Sequence, residues 1–188
     1  ELCRTLPSRK CCAQAECYGI LLYANRFDEK EARIVTESED FAARLPLLFK
    51  KAFSISFDSV KVPESGKRVF SVFTPDKLYT LSLAFGYDMA ETLAHHINFG
   101  VLEEDHCRTA FFRGAFLAGG SVTDPNKGYH LELTTTHMSV NRELLTLLAE
   151  AEFTAKSATR SGSYMTYFKQ SETIADFLTV LGAPLAAM

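Results

Sequence analysis

The chain repeats itself. The run Ala15-Glu-Cys-Tyr-Gly-Ile-Leu-Leu-Tyr-Ala-Asn-Arg-Phe27 aligns with Ala110-Phe-Phe-Arg-Gly-Ala-Phe-Leu-Ala-Gly-Gly-Ser-Val122. Gly19 then meets Gly114 and Leu22 meets Leu117, each pair 95 residues apart. Cys12 and Cys107 keep that separation, and Gly86 and Gly182 mark the far ends at 96. Self-similarity at one period makes each copy a single supersecondary unit and restricts the fold to architectures that use that unit twice.

The same order of elements is legible in both copies. A helical stretch leads to a short, branched run that reads as a strand, 31–37 in the first copy and 129–135 in the second. An apolar-periodic helix follows, 41–53 and then 140–153. Two more strands come next: 56–62 and 68–73, split by the turn Pro63-Glu64-Ser65-Gly66, and 153–159 and 164–169, split by Arg160-Ser161-Gly162-Ser163. Each copy closes with a helix. Thr74 is expected to cap the first, with Pro75 in its first turn and Gly86 past its end; Ser171 is expected to cap the second, with Gly182 past its end. This pattern predicts a pseudo-two-fold α+β unit with halves 11–87 and 106–188 and a linker 88–105, in which Asn98-Phe99-Gly100 is a break and Ala90 to Ile97 adds a short helix.

Composition narrows the function classes. With 47% hydrophobic and 23% charged residues, the 188-residue chain is an ordinary globular sequence, large enough for one domain with a sizeable core. It has no run of about 18 uncharged apolar residues and no signal-peptide pattern, so neither membrane insertion nor secretion is expected. Twenty Lys and Arg stand against 23 Asp and Glu, a net charge of −3, which is not the strongly basic balance of an autonomous DNA-binding domain. Five cysteines (Cys3, Cys11, Cys12, Cys17 and Cys107), with no C-x-x-C pair, read as buried small residues in a reducing cytoplasm. A chain that begins on Glu1 and ends on Ala186-Ala187-Met188 is expected to continue in the natural protein.

The helices that open the two copies carry the message. Ala13, Cys17, Ile20, Leu21 and Ala24 fall on one helical face, and 111–121 is apolar nearly all round and rich in Gly and Ala. Glycine costs about 1 kcal/mol in a helix interior, so several in one helix need a packing reason. Gly19, Gly114, Ala118 and Gly120 are the expected points of close helix approach across the pseudo-dyad.

Arg113-Gly-Ala-Phe-Leu-Ala-Gly-Gly-Ser-Val122 resembles a degenerate copy of the motif that names the LAGLIDADG homing endonucleases, and Cys17-Tyr-Gly-Ile-Leu-Leu-Tyr-Ala-Asn25 resembles a weaker second copy. Together with Cys11-Cys12 and Asp124-Pro-Asn-Lys-Gly-Tyr-His-Leu-Glu132, they are similar to the bacterial WhiA regulators of sporulation and cell division, over essentially the whole chain as that family's N-terminal domain. The resemblance implies a duplicated LAGLIDADG-like α+β fold in a DNA-binding transcription regulator of the nucleoid. DNA would be bound mainly through a C-terminal helix-turn-helix that this chain lacks, and a protein partner is possible.

In active LAGLIDADG enzymes the eighth motif position of each helix supplies a carboxylate, and the two hold divalent metal beside the scissile phosphates. The resemblance puts Ala24 and Gly119 there, so no catalysis, no metal and no cofactor are expected. Asp28 and Asp124, a few residues on, read as turn formers. Gly114-x-x-x-x-Gly119-Gly120-Ser121 lacks the lysine of a phosphate-binding loop. His95, His96, His106 and Cys107 match no standard zinc spacing. Basic residues on or near the strands (Arg33, Lys61, Lys67, Arg68, Lys127, Lys156, Arg160 and Lys169) are candidates for DNA-backbone contact, although solvated strand edges account for them too. The leading reading is a non-catalytic scaffold or interaction domain. The alternatives are a module that senses a ligand or partner and, less favoured, a metal-dependent endonuclease.

Overall fold

The computed structural model describes residues 1–88 and 94–188. Contacts divide the described residues into two units: residues 3–88 with 98–118, and residues 1–2 with 94–97 and 119–188.

In the first unit, α1 (Lys10–Leu22) leads through the short β1 (Arg26–Phe27) into β2 (Ala32–Thr36), α2 (Glu39–Phe53), β3 (Ser59–Lys61), β4 (Arg68–Val72) and α3 (Pro75–Phe85). The sheet is antiparallel in the order β1-β2-β4-β3. α2 has clear ends. The Ser38 hydroxyl accepts from the Phe41 N–H, Glu39 and Asp40 sit in the first turn, Lys50 and Lys51 in the last, and Ser54 stops the helix in the left-handed region. Its buried Phe41, Leu45, Leu48, Phe49 and Ala52 follow helical spacing. An aromatic cluster fills the core, with Tyr18 stacked on Phe85 at 4.4 Å and Phe53 edge-on to Phe85 at 5.6 Å. The unit ends on α4 (Asp105–Gly119), which is grouped with it through Ala118.

The second unit repeats the order: β5 (Gly120–Val122), β6 (Leu131–Thr135), α5 (Met138–Glu150), β7 (Lys156–Arg160), β8 (Ser163–Phe168) and α6 (Ser171–Leu181), followed by one further turn, α7 (Pro184–Ala187). Its sheet order, β5-β6-β8-β7, is that of the first unit. The β7–β8 hairpin turns on Ser161 (φ 50°) and Gly162 (φ 80°), two positive-φ residues in a two-residue loop, a twist that matches the flanking strands. Phe153, Phe168 and Phe177 form its aromatic core, with ring centroids 5.3–6.1 Å apart. Beneath the sheet, the fully buried Thr166 hydroxyl donates to Asn141 of α5 at 2.9 Å. No helix among the described residues is long and apolar enough to cross a membrane.

Several local expectations change. Thr74 occupies the N-cap of α3 but does not cap it, because its hydroxyl is drawn to Asp58 at 2.9 Å. Ser171 is the first residue of α6, and Gln170 is the cap position. α1 stops at Leu22, so Ala24 lies beyond the helix. Gly120 and Ser121 leave α4 for β5, where Gly120 pairs with Leu133. Of the short helix expected at Ala90 to Ile97, residues 90–93 lie outside the described residues, and 94–97 are not helical.

Candidate functional site

The motif helices α1 and α4 touch backbone to backbone. A Cβ built on Gly19 would overlap the Phe111 carbonyl oxygen and come within 2.7 Å of the Ala115 nitrogen. A Cβ built on Gly114 would overlap the Glu16 carbonyl oxygen and come within 3.1 Å of the Ile20 nitrogen. The two glycines answer one another, each giving the opposite helix room that any side chain would take. Ala118 is half-buried in the last turn of α4. Gly120, expected in the same seam, is a strand residue instead, because the chain turns into β5 immediately after Gly119.

Ala24 sits two residues past the end of α1, its N–H donating to the Leu21 carbonyl at 3.3 Å, and Gly119 is the last residue of α4. The nearby acids serve their own loops. Asp28 accepts from Arg26 Nε at 2.6 Å and from the backbone N–H groups of Lys30 and Glu31 at 2.8 and 3.0 Å. Burial alone would raise its pKa, but these donors win and hold the carboxylate below its ordinary range. Asp124 Oδ1 accepts from the Asn126 backbone at 2.9 Å and opens the 3-10 turn Pro125–Lys127.

Sequence reading missed a charge inside the first unit. Glu16, on α1 beside the glycine seam, is fully buried and takes a two-pronged contact from the buried Arg44 of α2, at 2.7 and 3.0 Å. Arg113 of α4 adds a third contact at 3.2 Å. One carboxylate thus ties three helices through charge-assisted hydrogen bonds.

It also missed a thiol cluster. Cys11 and Cys12 stand in the first turn of α1, His106 and Cys107 in the first turn of α4, and their four ligand atoms all lie within 4.8 Å of one another. Cys12 Sγ is 3.1 Å and Cys107 Sγ 3.4 Å from His106 Nδ1. Burial, with Cys11 and Cys12 as further causes, pushes the Cys107 thiol up to about 12; burial also raises Cys12. Cys11 is exposed, contrary to the expectation of uniformly buried cysteines. The equal register of Cys12 and Cys107 in the two copies was the available signal. His95 and His96 belong to the other unit, where His95 packs edge-on to His137 at 4.5 Å and His96 Nδ1 lies 2.8 Å from Glu143.

Strand register sorts the basic residues. Arg33 alternates with buried Ala32 and Ile34 and stands opposite Ser71, and Lys61, opposite Val69, shares that outer face. Arg26, overlooked in the sequence, pairs in register with Arg33; it contacts Glu31 at 3.3 Å, which itself lies 4.0 Å from Arg33. In the second unit Lys156 and Arg160 fall on one face of β7, and Lys169 lies 5.5 Å over the Tyr167 ring. Lys67 and Arg68 instead meet Glu37 at 3.6 Å and Glu39 at 3.1 Å. Lys127 sits in the exposed 3-10 turn.

Residues 108–188 match the family model of the WhiA LAGLIDADG-like domain. The probable cell division protein WhiA of Ruminiclostridium cellulolyticum is 32% identical over 204 residues, covering 100% of this chain and 63% of that protein. Over its whole length the chain is similar to WhiA proteins. The WhiA of Alkaliphilus oremlandii is 29% identical over 209 residues, again covering 100% of this chain and 63% of the relative. The chain therefore spans less than two thirds of the length of these WhiA relatives. Among solved structures, the N-terminal LAGLIDADG domain of WhiA is similar with a TM-score of 0.72 at 19% identity, covering 97% of this chain and 86% of that one. Mesophilic variants of the homing endonuclease I-DmoI follow with a TM-score of 0.65 at 12% identity, covering 92% and 97%. At such identities the likeness establishes the fold, an α+β fold of the LAGLIDADG type. The segment Arg113 to Val122 lies inside the matched WhiA region.

Proposed function

We propose that this chain is a non-catalytic scaffold and interaction domain of a DNA-binding regulator of cell division or sporulation, working at the bacterial nucleoid. The observation that carries this reading is the pair of residues that the resemblance puts at the motif's acidic positions: Ala24 and Gly119 offer no side-chain carboxylate to a metal ion beside a phosphodiester. Asp28 and Asp124 do not make up the loss, since each is engaged by the backbone of its own turn. The relatives' name, cell division protein, supports a regulatory rather than an enzymatic role.

I-DmoI is seen in complex with its target DNA. By analogy of fold, the sheet faces of this chain would supply weak backbone contacts through Arg33, Lys61, Lys156, Arg160 and Lys169, with Lys127 beside them. Lys67 and Arg68 are weaker candidates because of their glutamate partners. Sequence readout would then fall to a helix-turn-helix beyond this chain, with the present domain orienting it or receiving a protein partner.

A salt titration of DNA binding, run on this chain beside the full-length protein, tests the assignment. Six phosphate contacts give a slope of log K against log salt no steeper than about −5.4. The chain alone is expected to bind weakly, without sequence preference, and more weakly still with Lys156→Glu and Arg160→Glu. Full-length affinity and specificity in this chain alone would overturn it.

A further inference from the structure

We infer that Cys11, Cys12, His106 and Cys107 form a structural zinc site that clasps the starts of the two motif helices. Each helix contributes its second and third residues: Cys11 and Cys12 follow Lys10 in α1, and His106 and Cys107 follow Asp105 in α4. A tetrahedral Zn²⁺ with sulfur at about 2.3 Å and nitrogen at about 2.0 Å holds its ligand atoms roughly 3.5–3.8 Å apart. The four atoms here lie within 4.8 Å of one another, with the two sulfur–nitrogen contacts at 3.1 and 3.4 Å. Small rotamer adjustments bring them onto one ion.

The donor set selects the metal class. Three thiols and one imidazole suit Zn²⁺ and not Mg²⁺ or Ca²⁺, which take oxygen. Four protein ligands close the coordination sphere, so the role is structural rather than catalytic. Binding converts three thiols to thiolates and releases three protons to solvent, leaving a site of net charge −1. The N-termini of α1 and α4, whose first turns hold the four ligands, favour that negative charge. Coordination through His106 Nδ1 puts the ring proton on Nε2, which now lies 2.7 Å from Arg9. The exposed Arg9 guanidinium must therefore turn away when the ion enters. No standard C-x-x-C spacing announces the site, because its halves come from the two copies of the repeat.

Loading the reduced chain with Zn²⁺, and separately with Co²⁺, decides it. One Zn²⁺ per chain should survive dialysis, with three protons released on binding and a raised Tm. Co²⁺ should give the intense visible bands and sulfur-to-metal charge transfer of a tetrahedral thiolate site. Cys12→Ser should lower affinity by more than the roughly 10–100-fold lost with a mere outer partner. Cys3→Ser should change nothing. Since Cys12 is buried, Cys11→Ala at the exposed position provides a second variant that keeps the metal-free Tm and loses the metal-dependent rise. Absence of stoichiometric Zn²⁺ in the reduced chain, a Co²⁺ complex without thiolate bands, or undiminished binding by both variants would overturn the site.

Discussion

Gly114 of α4 lies against the backbone carbonyl of Glu16 in α1, so close that a single methyl group would overlap it. The neighbour is main chain and cannot rotate away, so the two helices would have to separate. Gly114→Ala is expected to destabilise the chain by about 1–3 kcal/mol, with Gly19→Ala similar. Gly100→Ala is the contrast, since its Cβ would meet only the Asn98 side chain, at 3.2 Å. Urea unfolding of the three variants provides the comparison; a Gly114→Ala chain as stable as the parent would remove the close-packing explanation.

The same carbonyl belongs to the residue whose side chain anchors Arg44. Removing one member of a buried ion pair leaves the other desolvated and uncompensated, at a cost of about 3–5 kcal/mol. Glu16→Gln should therefore unfold at markedly lower urea. Replacing both partners by methionine should restore most of the loss, because no buried charge of the pair remains. If the single and double variants match, the pair is not what holds these helices.

Acid sensitivity should come in part from His137, which sits at the start of α5. Burial, and to a lesser degree the charge of His95, pushes its pKa down to about 4. The unfolded chain, with an ordinary value near 6.5, takes up the proton first. Stability is then intact above about pH 6.5 and falls as the pH drops toward 4. Urea midpoints measured from pH 7.5 to 4 should show this fall, and His137→Gln should flatten part of it. Parallel curves for the two proteins would rule His137 out as its source.

Much of the fold was legible because the signals were local and occurred twice. Pro63 to Gly66 and Ser161-Gly162 announced their hairpins, and the spacing of Phe41, Leu45 and Leu48 announced α2. Boundaries failed where a pattern outlasted its element: the apolar run through Gly120 conceals the change from helix to strand, and β1 has two residues, too few for alternation to register. The site was less legible for a different reason. Glu16 and Arg44 stand 28 residues apart, and a glutamate in an apolar helix gives no hint of its partner. Cys12 and His106 are 94 apart, and only folding brings them together. Ala24 and Gly119 could be proposed from the sequence because a motif assigns a role to each position.

The proposal that this domain does not cleave DNA is tested most directly by incubating the purified chain with supercoiled plasmid DNA and Mg²⁺ or Mn²⁺ and following nicked and linear forms over time. With Ala24 and Gly119 at the motif positions, no metal-dependent conversion above a buffer control is expected. Cutting that requires the metal and disappears in Asp28→Ala or Asp124→Ala would contradict the account.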